Sequence, residues 1–144
     1  MISKTLLDAT ARFEGLRLKA YRCPAGIWTI GYGHTRGVTP DMVISKATAL
    51  KWLEADLRES QRVVLNNTKG IQLSQPQLEA LTDFVFNIGA TKFKQSTLLR
   101  KLKAGAPAIE VATEFSRWVF AGKTRLPGLE RRRAWEMNRF MTKV

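Results

Sequence analysis

Three residues near the N-terminus, Glu14, Cys23 and Thr29, bring an acid, a thiol and a hydroxyl within sixteen positions of the chain. Eight residues separate Glu14 from Cys23, and five separate Cys23 from Thr29. A carboxylic acid that keeps its proton can protonate a leaving oxygen, and a second polar group can orient water or support developing positive charge. These residue types at this spacing therefore indicate a small active site.

A helix is predicted to position Glu14. Ser3 can cap its start and Gly15 can end it, and one face carries apolar residues that recur at four, three and four positions: Ile2, Leu6, Ala9 and Phe13. Glu14 then lies at the negative end of the helix dipole. That location, with apolar neighbours such as Phe13, favours the protonated form that an acid catalyst needs.

A β-hairpin is predicted to position the other two residues. The chain alternates between apolar and polar residues from Leu16 to Tyr21, and a second run from Ile27 to Tyr32 is rich in β-branched and aromatic residues. Pro24 and Gly26 lie in the predicted turn between them, which places Cys23 at a strand end and Thr29 on the facing strand.

With these residues in place, the sequence resembles the phage-type lysozymes, glycoside hydrolase family 24, the endolysins with which tailed phages break bacterial walls. The family motif is Glu, eight residues, Asp or Cys, five residues, Thr, followed by Gly-x-Gly-His, which is 31–34 here. Phe86-Asn87-Ile88-Gly89 resembles the family's Phe-Asn/Gln-x-Gly segment, and residues 126–136 resemble its C-terminal signature. The resemblance covers essentially all 144 residues.

The resemblance implies hydrolysis of the β-1,4 bond between N-acetylmuramic acid and N-acetylglucosamine in peptidoglycan. Glu14 would protonate the departing oxygen, while Thr29 and a second group would place water or stabilise positive charge at the sugar. That second group is usually Asp in the family and is Cys23 here. The alternatives are direct attack by the thiolate, which would retain configuration, and a site run almost by Glu14 alone, as in lytic transglycosylases.

Other site residues follow from the same resemblance. It implies substrate contacts from Tyr32, Phe86 and Asn87, and supporting roles for His34 and Arg132. His34 is the only histidine of the chain, and we expect it to make structural hydrogen bonds. The resemblance also brings the C-terminal helix against the first helix, with one arginine of 131–133, for which we favour Arg132, near Glu14. Helical spacing alone predicts that one arginine of 132–133 turns inward.

The fold class predicted is α+β: a mostly helical, lysozyme-like fold with a small N-terminal β-hairpin lobe and a larger helical lobe. We expect one catalytic domain over 1–144, with a β-containing lobe at about 15–40, a linking helix at about 45–65, and a helical lobe at about 66–144 that includes the N-terminal helix. Thr39-Pro40-Asp41 is predicted to begin a helix, with Ser45 as a second cap. Further helices are predicted at 74–88, 96–104 and 107–119, and from 128 to about 141.

The net charge of the chain indicates which classes of partner it favours. The formal charge is +12, from 24 Lys and Arg against 12 Asp and Glu, which favours polyanions such as bacterial walls and lipopolysaccharide. No nucleic-acid-binding motif accompanies it, so nucleic acid is not expected as the main ligand. A basic amphipathic C-terminal helix leaves open a non-enzymatic action on anionic outer-membrane lipid, or wall binding without catalysis.

No cofactor or metal is expected, because a lone histidine and a lone cysteine do not make a zinc site. We expect a monomer without an export signal or a transmembrane segment, held in the host cytoplasm until it reaches the periplasm and wall at lysis.

Overall fold

Seven α-helices and two small antiparallel sheets make up the computed structural model, which describes all residues 1–144. In chain order the elements are α1 (Lys4–Glu14), β1 (Arg17–Arg22), β2 (Trp28–Gly31), α2 (Lys46–Asn67), α3 (Gln75–Ile88), α4 (Ala90–Gln95), α5 (Thr97–Lys103), α6 (Ala108–Phe115), β3 (Phe120–Ala121), β4 (Thr124–Arg125) and α7 (Pro127–Phe140). The predicted α+β, mostly helical, lysozyme-like fold is confirmed.

Helix α1 and the first hairpin form as their sequence patterns predict. The Ser3 hydroxyl accepts a hydrogen bond from the Leu6 N–H at 3.1 Å, which satisfies one of the donors left free at a helix start. In the hairpin, Tyr21 lies opposite Thr29, and the Cys23 N–H donates to the Ile27 carbonyl at 3.0 Å. The turn therefore begins directly at Cys23.

The predicted helix start at Thr39-Pro40-Asp41 is wrong. Pro40 and Asp41 form a turn instead, which is closed by a hydrogen bond of 3.2 Å from the Met42 N–H to the Thr39 carbonyl. The residues after the turn pair with strand β1: the Ala20 N–H donates to the Met42 carbonyl at 3.0 Å, and the Ile44 N–H donates to the Leu18 carbonyl at 2.9 Å. Helix α2 begins at Lys46, after the second predicted cap.

The helices after α2 enclose an aromatic core. Phe84 of α3 makes edge-to-face contacts with three other rings, at centroid distances of 5.1 to 6.4 Å: Phe93, Phe115 and Trp118. Helix α3 begins at a capping box made by Ser74 and Gln77 and ends at Ile88, as predicted. The short helix α4 and the β3–β4 hairpin lie where no element was predicted, and α6 ends at Phe115, short of the predicted 119.

Backbone contacts divide the chain into two compact units, residues 1–58 and 59–144. Helix α1 falls in the first unit with the β1–β2 hairpin, whereas the sequence-based prediction places it in the helical lobe. The assignment of one catalytic domain stays a prediction. None of the helices combines the length and the apolar character that crossing a bilayer requires.

Candidate active site

Glu14 is the last residue of helix α1, and its half-buried carboxyl group lies against the backbone of Gly33. A Cβ atom built on Gly33 would come within 2.5 Å of the Glu14 Oε1 atom. Gly33 also has a φ of +77°, which side chains other than glycine's rarely adopt. The turn after β2 thus brings glycine backbone up to the acid, and a side chain at position 33 would be strained and would displace the carboxyl group.

Cys23 and Thr29 meet at the turn end of the β1–β2 hairpin. The Thr29 side chain is buried, and its hydroxyl donates to the Ile27 carbonyl at 3.0 Å. A hydrogen bond from the Ile27 backbone lowers the pKa of the Cys23 thiol below its ordinary value, and the Thr29 hydroxyl lowers it further when it turns its one hydrogen from the Ile27 carbonyl to the sulfur. Both groups stabilise negative charge on the sulfur, so Cys23 carries more thiolate at neutral pH than an ordinary cysteine.

We expect alkylation to report this shift. Since Cys23 is the only cysteine, the pH dependence of its reaction with iodoacetamide follows one thiol, and its midpoint should lie below that of free cysteine measured in the same buffer. Thr29→Val should raise the midpoint only part of the way, because the larger stabilisation comes from the Ile27 backbone. A midpoint at or above that of free cysteine would contradict the assignment.

His34 uses both ring nitrogens in hydrogen bonds. Its Nδ1 atom is 2.7 Å from Oδ2 of Asp56, its Nε2 atom is 2.9 Å from the Arg36 carbonyl, and its ring stacks on Trp52 at a centroid distance of 4.7 Å. The backbones of His34 and Ile30 exchange two further hydrogen bonds, each of 2.9 Å. The ring therefore anchors the turn that contains Gly33.

The predicted sugar-contacting residues differ in exposure. Tyr32 is 7% exposed, so little of its ring is open to a ligand. Phe86 and Asn87 are half-buried in the last turn of α3, in the second unit. Asn87 borders a groove of about 180 Å³ that is also lined by Ile88, Lys92, Trp118, Phe120, Leu129 and Arg133. Substrate binding by these three residues stays a prediction.

Arg132 and Arg133 both turn inward, into a buried polar network between α3 and α7. Arg132 donates from Nε and from a terminal nitrogen to the two carboxylate oxygens of Asp83, both at 2.9 Å. Arg133 pairs with Glu136, with 2.8 Å between Nε and Oε1. Burial raises the pKa of Glu136 well above its ordinary value, and the neighbouring Asp83 carboxylate raises it further. The predicted proximity of Arg132 to Glu14 stays a prediction.

Sequence reasoning missed the acidic partners of this network. Asp83 lies among buried apolar residues of α3 and is 49 positions from Arg132. One signal in the sequence is a charged residue on an apolar helical face, which occurs at Asp83 in α3 and at Glu136 in α7. Because a buried charge requires a partner, each of these residues is expected to have one. This signal does not identify the partners of Asp83 and Glu136.

Known proteins have similar sequences and a similar fold. The phage lysozyme family model matches residues 11–136. The chain is 42% identical over 139 residues to an endolysin of Acyrthosiphon pisum secondary endosymbiont phage 1, covering 94% of each protein. It is 38% identical over 144 residues to an endolysin of Bacillus phage B103, covering 98% of this chain and 54% of that protein. The muramidase domain of SpmX from Asticaccaulis excentricus aligns with a TM-score of 0.91 and 36% identity over 99% of both chains.

Proposed function

The chain belongs to the phage lysozyme family, and we propose that it acts as an endolysin, a muramidase that hydrolyses peptidoglycan during host-cell lysis. The bond cleaved is the β-1,4 link between N-acetylmuramic acid and N-acetylglucosamine. One observation carries the proposal: an acid ends helix α1 against Gly33, and a thiol–hydroxyl pair closes the adjoining hairpin, all within the residues that the family model matches.

Glu14 is proposed as the general acid. Its proton would pass to the glycosidic oxygen as the bond to the anomeric carbon breaks, so that the departing sugar leaves as a neutral alcohol. The contact with Gly33 supports this role, because backbone on one side of the carboxyl group limits the orientations open to it.

Cys23 and Thr29 are proposed to act on the attacking water and on the charge at the sugar, rather than on the leaving oxygen. With its lowered pKa, the Cys23 sulfur can carry the negative charge that a carboxylate would supply, and can accept a proton from the attacking water. The Thr29 hydroxyl has one hydrogen and two lone pairs, so it can hold that water while it bonds to the Ile27 carbonyl.

Two other routes use the same groups. In one, the thiolate forms a bond to the anomeric carbon, and water then hydrolyses the thioglycoside with Glu14 as base, which retains configuration. In the other, Glu14 acts almost alone, and the muramic acid closes on itself as in lytic transglycosylases. The lowered pKa of the Cys23 thiol favours a role for the sulfur over the second route.

Substitution of Cys23 tests its role. Cys23→Asp should keep substantial activity, because a carboxylate can orient water and support positive charge, whereas Cys23→Ala should lose far more. Alkylation should inactivate the parent and leave Cys23→Asp unaffected, since the chain has no other cysteine. Lysis rates of the three proteins on purified walls, with and without iodoacetamide, make the measurement. Full activity of Cys23→Ala would reduce the thiol to a structural role.

Substrate binding by Tyr32, Phe86 and Asn87, location in the host cytoplasm until lysis, and action as a monomer belong to the same proposal. Direct action on anionic lipid through α7 is less well supported. Arg132 and Arg139 form ion pairs with acidic residues of α3, and the Phe140 ring is buried against Phe115. Much of the basic and apolar surface that would engage a membrane is thus used within the fold.

The proposed activity can be tested on purified peptidoglycan freed of protein and lipid. We expect the protein to release soluble fragments and new reducing sugar ends, without any membrane present. Loss of turbidity from cells but not from purified walls would instead favour action on the membrane, and binding to walls without release of fragments would favour a binding module.

A further inference from the structure

We propose that Arg133 is a positioning residue for Asn87: the guanidinium fixes the side-chain amide so that its N–H₂ group faces the groove as a donor to the substrate. The inference rests on the proposed function, since it assumes that the ligand at Asn87 is the glycan of the wall. It explains why the buried Arg133 side chain bonds to Asn87, which lines the groove.

The geometry joins the two side chains directly. A terminal nitrogen of Arg133 donates to Oδ1 of Asn87 at 2.8 Å. The arginine cannot easily move, since its side chain is 1% exposed and the same nitrogen donates to Oε2 of Glu136 at 3.1 Å. Its guanidinium carbon also lies 5.1 Å from the centre of the Phe84 ring. Asn87 therefore accepts a hydrogen bond from a guanidinium group that Glu136 and the Phe84 ring also hold in place.

Hydrogen-bond chemistry then decides which way the amide faces. Arginine has only donors, so the atom of Asn87 that meets it must be the oxygen. The amide nitrogen is left on the other branch of the side chain, and no protein group bonds to it. Both residues line the groove of about 180 Å³, so the free N–H₂ group is available to an acceptor there, such as a carbonyl or hydroxyl oxygen of the glycan.

Without the arginine bond, an asparagine amide has two nearly equivalent orientations, and only one presents a donor. A substrate oxygen would then meet the amide oxygen for part of the time, and binding would weaken. Because the contact involves none of the proposed bond-breaking residues, the loss should appear in KM and leave kcat nearly unchanged.

Four proteins test this: the parent, Asn87→Ala, Arg133→Met and the double variant, assayed for kcat and KM on soluble glycan strands from peptidoglycan. We expect Asn87→Ala to raise KM by about 5- to 10-fold, the loss typical of one hydrogen bond. Arg133→Met removes the donor, so it should raise KM in the Asn87 protein and have no further effect in the Asn87→Ala protein. An equal effect of Arg133→Met on KM in both backgrounds would overturn the proposal.

A second variant tests the proposal if Arg133→Met does not fold. Asn87→Asp keeps an oxygen for Arg133, and adds a charge that pairs with it, but replaces the outward donor with an acceptor. We expect its melting temperature to be at or above the parent's while KM rises as in Asn87→Ala. A parent-like KM for Asn87→Asp would overturn the inference and leave the proposed function standing, whereas a parent without activity on peptidoglycan would overturn the proposed function itself.

Discussion

Glu14→Gln should lower the rate of wall lysis by about 10²- to 10⁴-fold, the range that general acid catalysis typically supplies. The amide keeps the size of the side chain at the end of α1 but has no proton to give to the departing oxygen. Its melting temperature should stay near the parent's, because Glu14 is only half-buried. Lysis rates on purified walls and thermal unfolding of both proteins make the comparison.

The matched control is Glu110→Gln, which makes the same chemical change at an exposed position in the first turn of α6. It should leave lysis at the parent rate. A Glu14→Gln protein that clears walls at half the parent rate or faster would exclude Glu14 as the general acid.

Gly33→Ala should also lose most of its activity, through the position of Glu14. The added methyl group would lie 2.5 Å from the Glu14 Oε1 atom, so the carboxyl group must move. A displacement of about 1 Å in a reacting group can lower the rate by about 10²-fold, and we expect a loss of at least that order.

Gly37→Ala separates this effect from backbone strain. Gly37 has a φ of +70°, close to the +77° of Gly33, but a Cβ atom there meets nothing within 4 Å. Both variants should therefore lose similar stability, about 1 kcal/mol, while only Gly33→Ala loses activity. Equal lysis rates for the two variants would show that Gly33 does not confine the acid.

Local patterns predicted the elements that carry the proposed catalytic residues. Ser3 and the apolar spacing define α1, and alternation with a Pro–Gly turn defines the hairpin, because caps and periodicity act over a few residues. The same reasoning failed at Thr39-Pro40-Asp41. There the chain makes a turn instead of a helix, because the residues that follow pair with β1, more than twenty residues earlier in the chain.

The groups that hold the site in place could not be predicted in the same way. The pairs Arg133–Asn87 and Arg132–Asp83 join positions 46 and 49 residues apart, which nothing in the spacing reveals. The approach of Gly33 to Glu14 depends on the path of a whole hairpin. A motif identifies Glu14 as the acid, but the contact of its carboxyl group with the Gly33 backbone is seen only in the folded structure.

Mass spectrometry of the soluble products from purified peptidoglycan tests the central claim most directly, because it identifies the bond that is cut and the way it is cut. We predict fragments that end in reducing N-acetylmuramic acid with their peptide stems intact, and their near absence with Glu14→Gln. Fragments that end in 1,6-anhydro-N-acetylmuramic acid, or peptides released from uncut glycan strands, would contradict the claim that this chain is a hydrolytic muramidase.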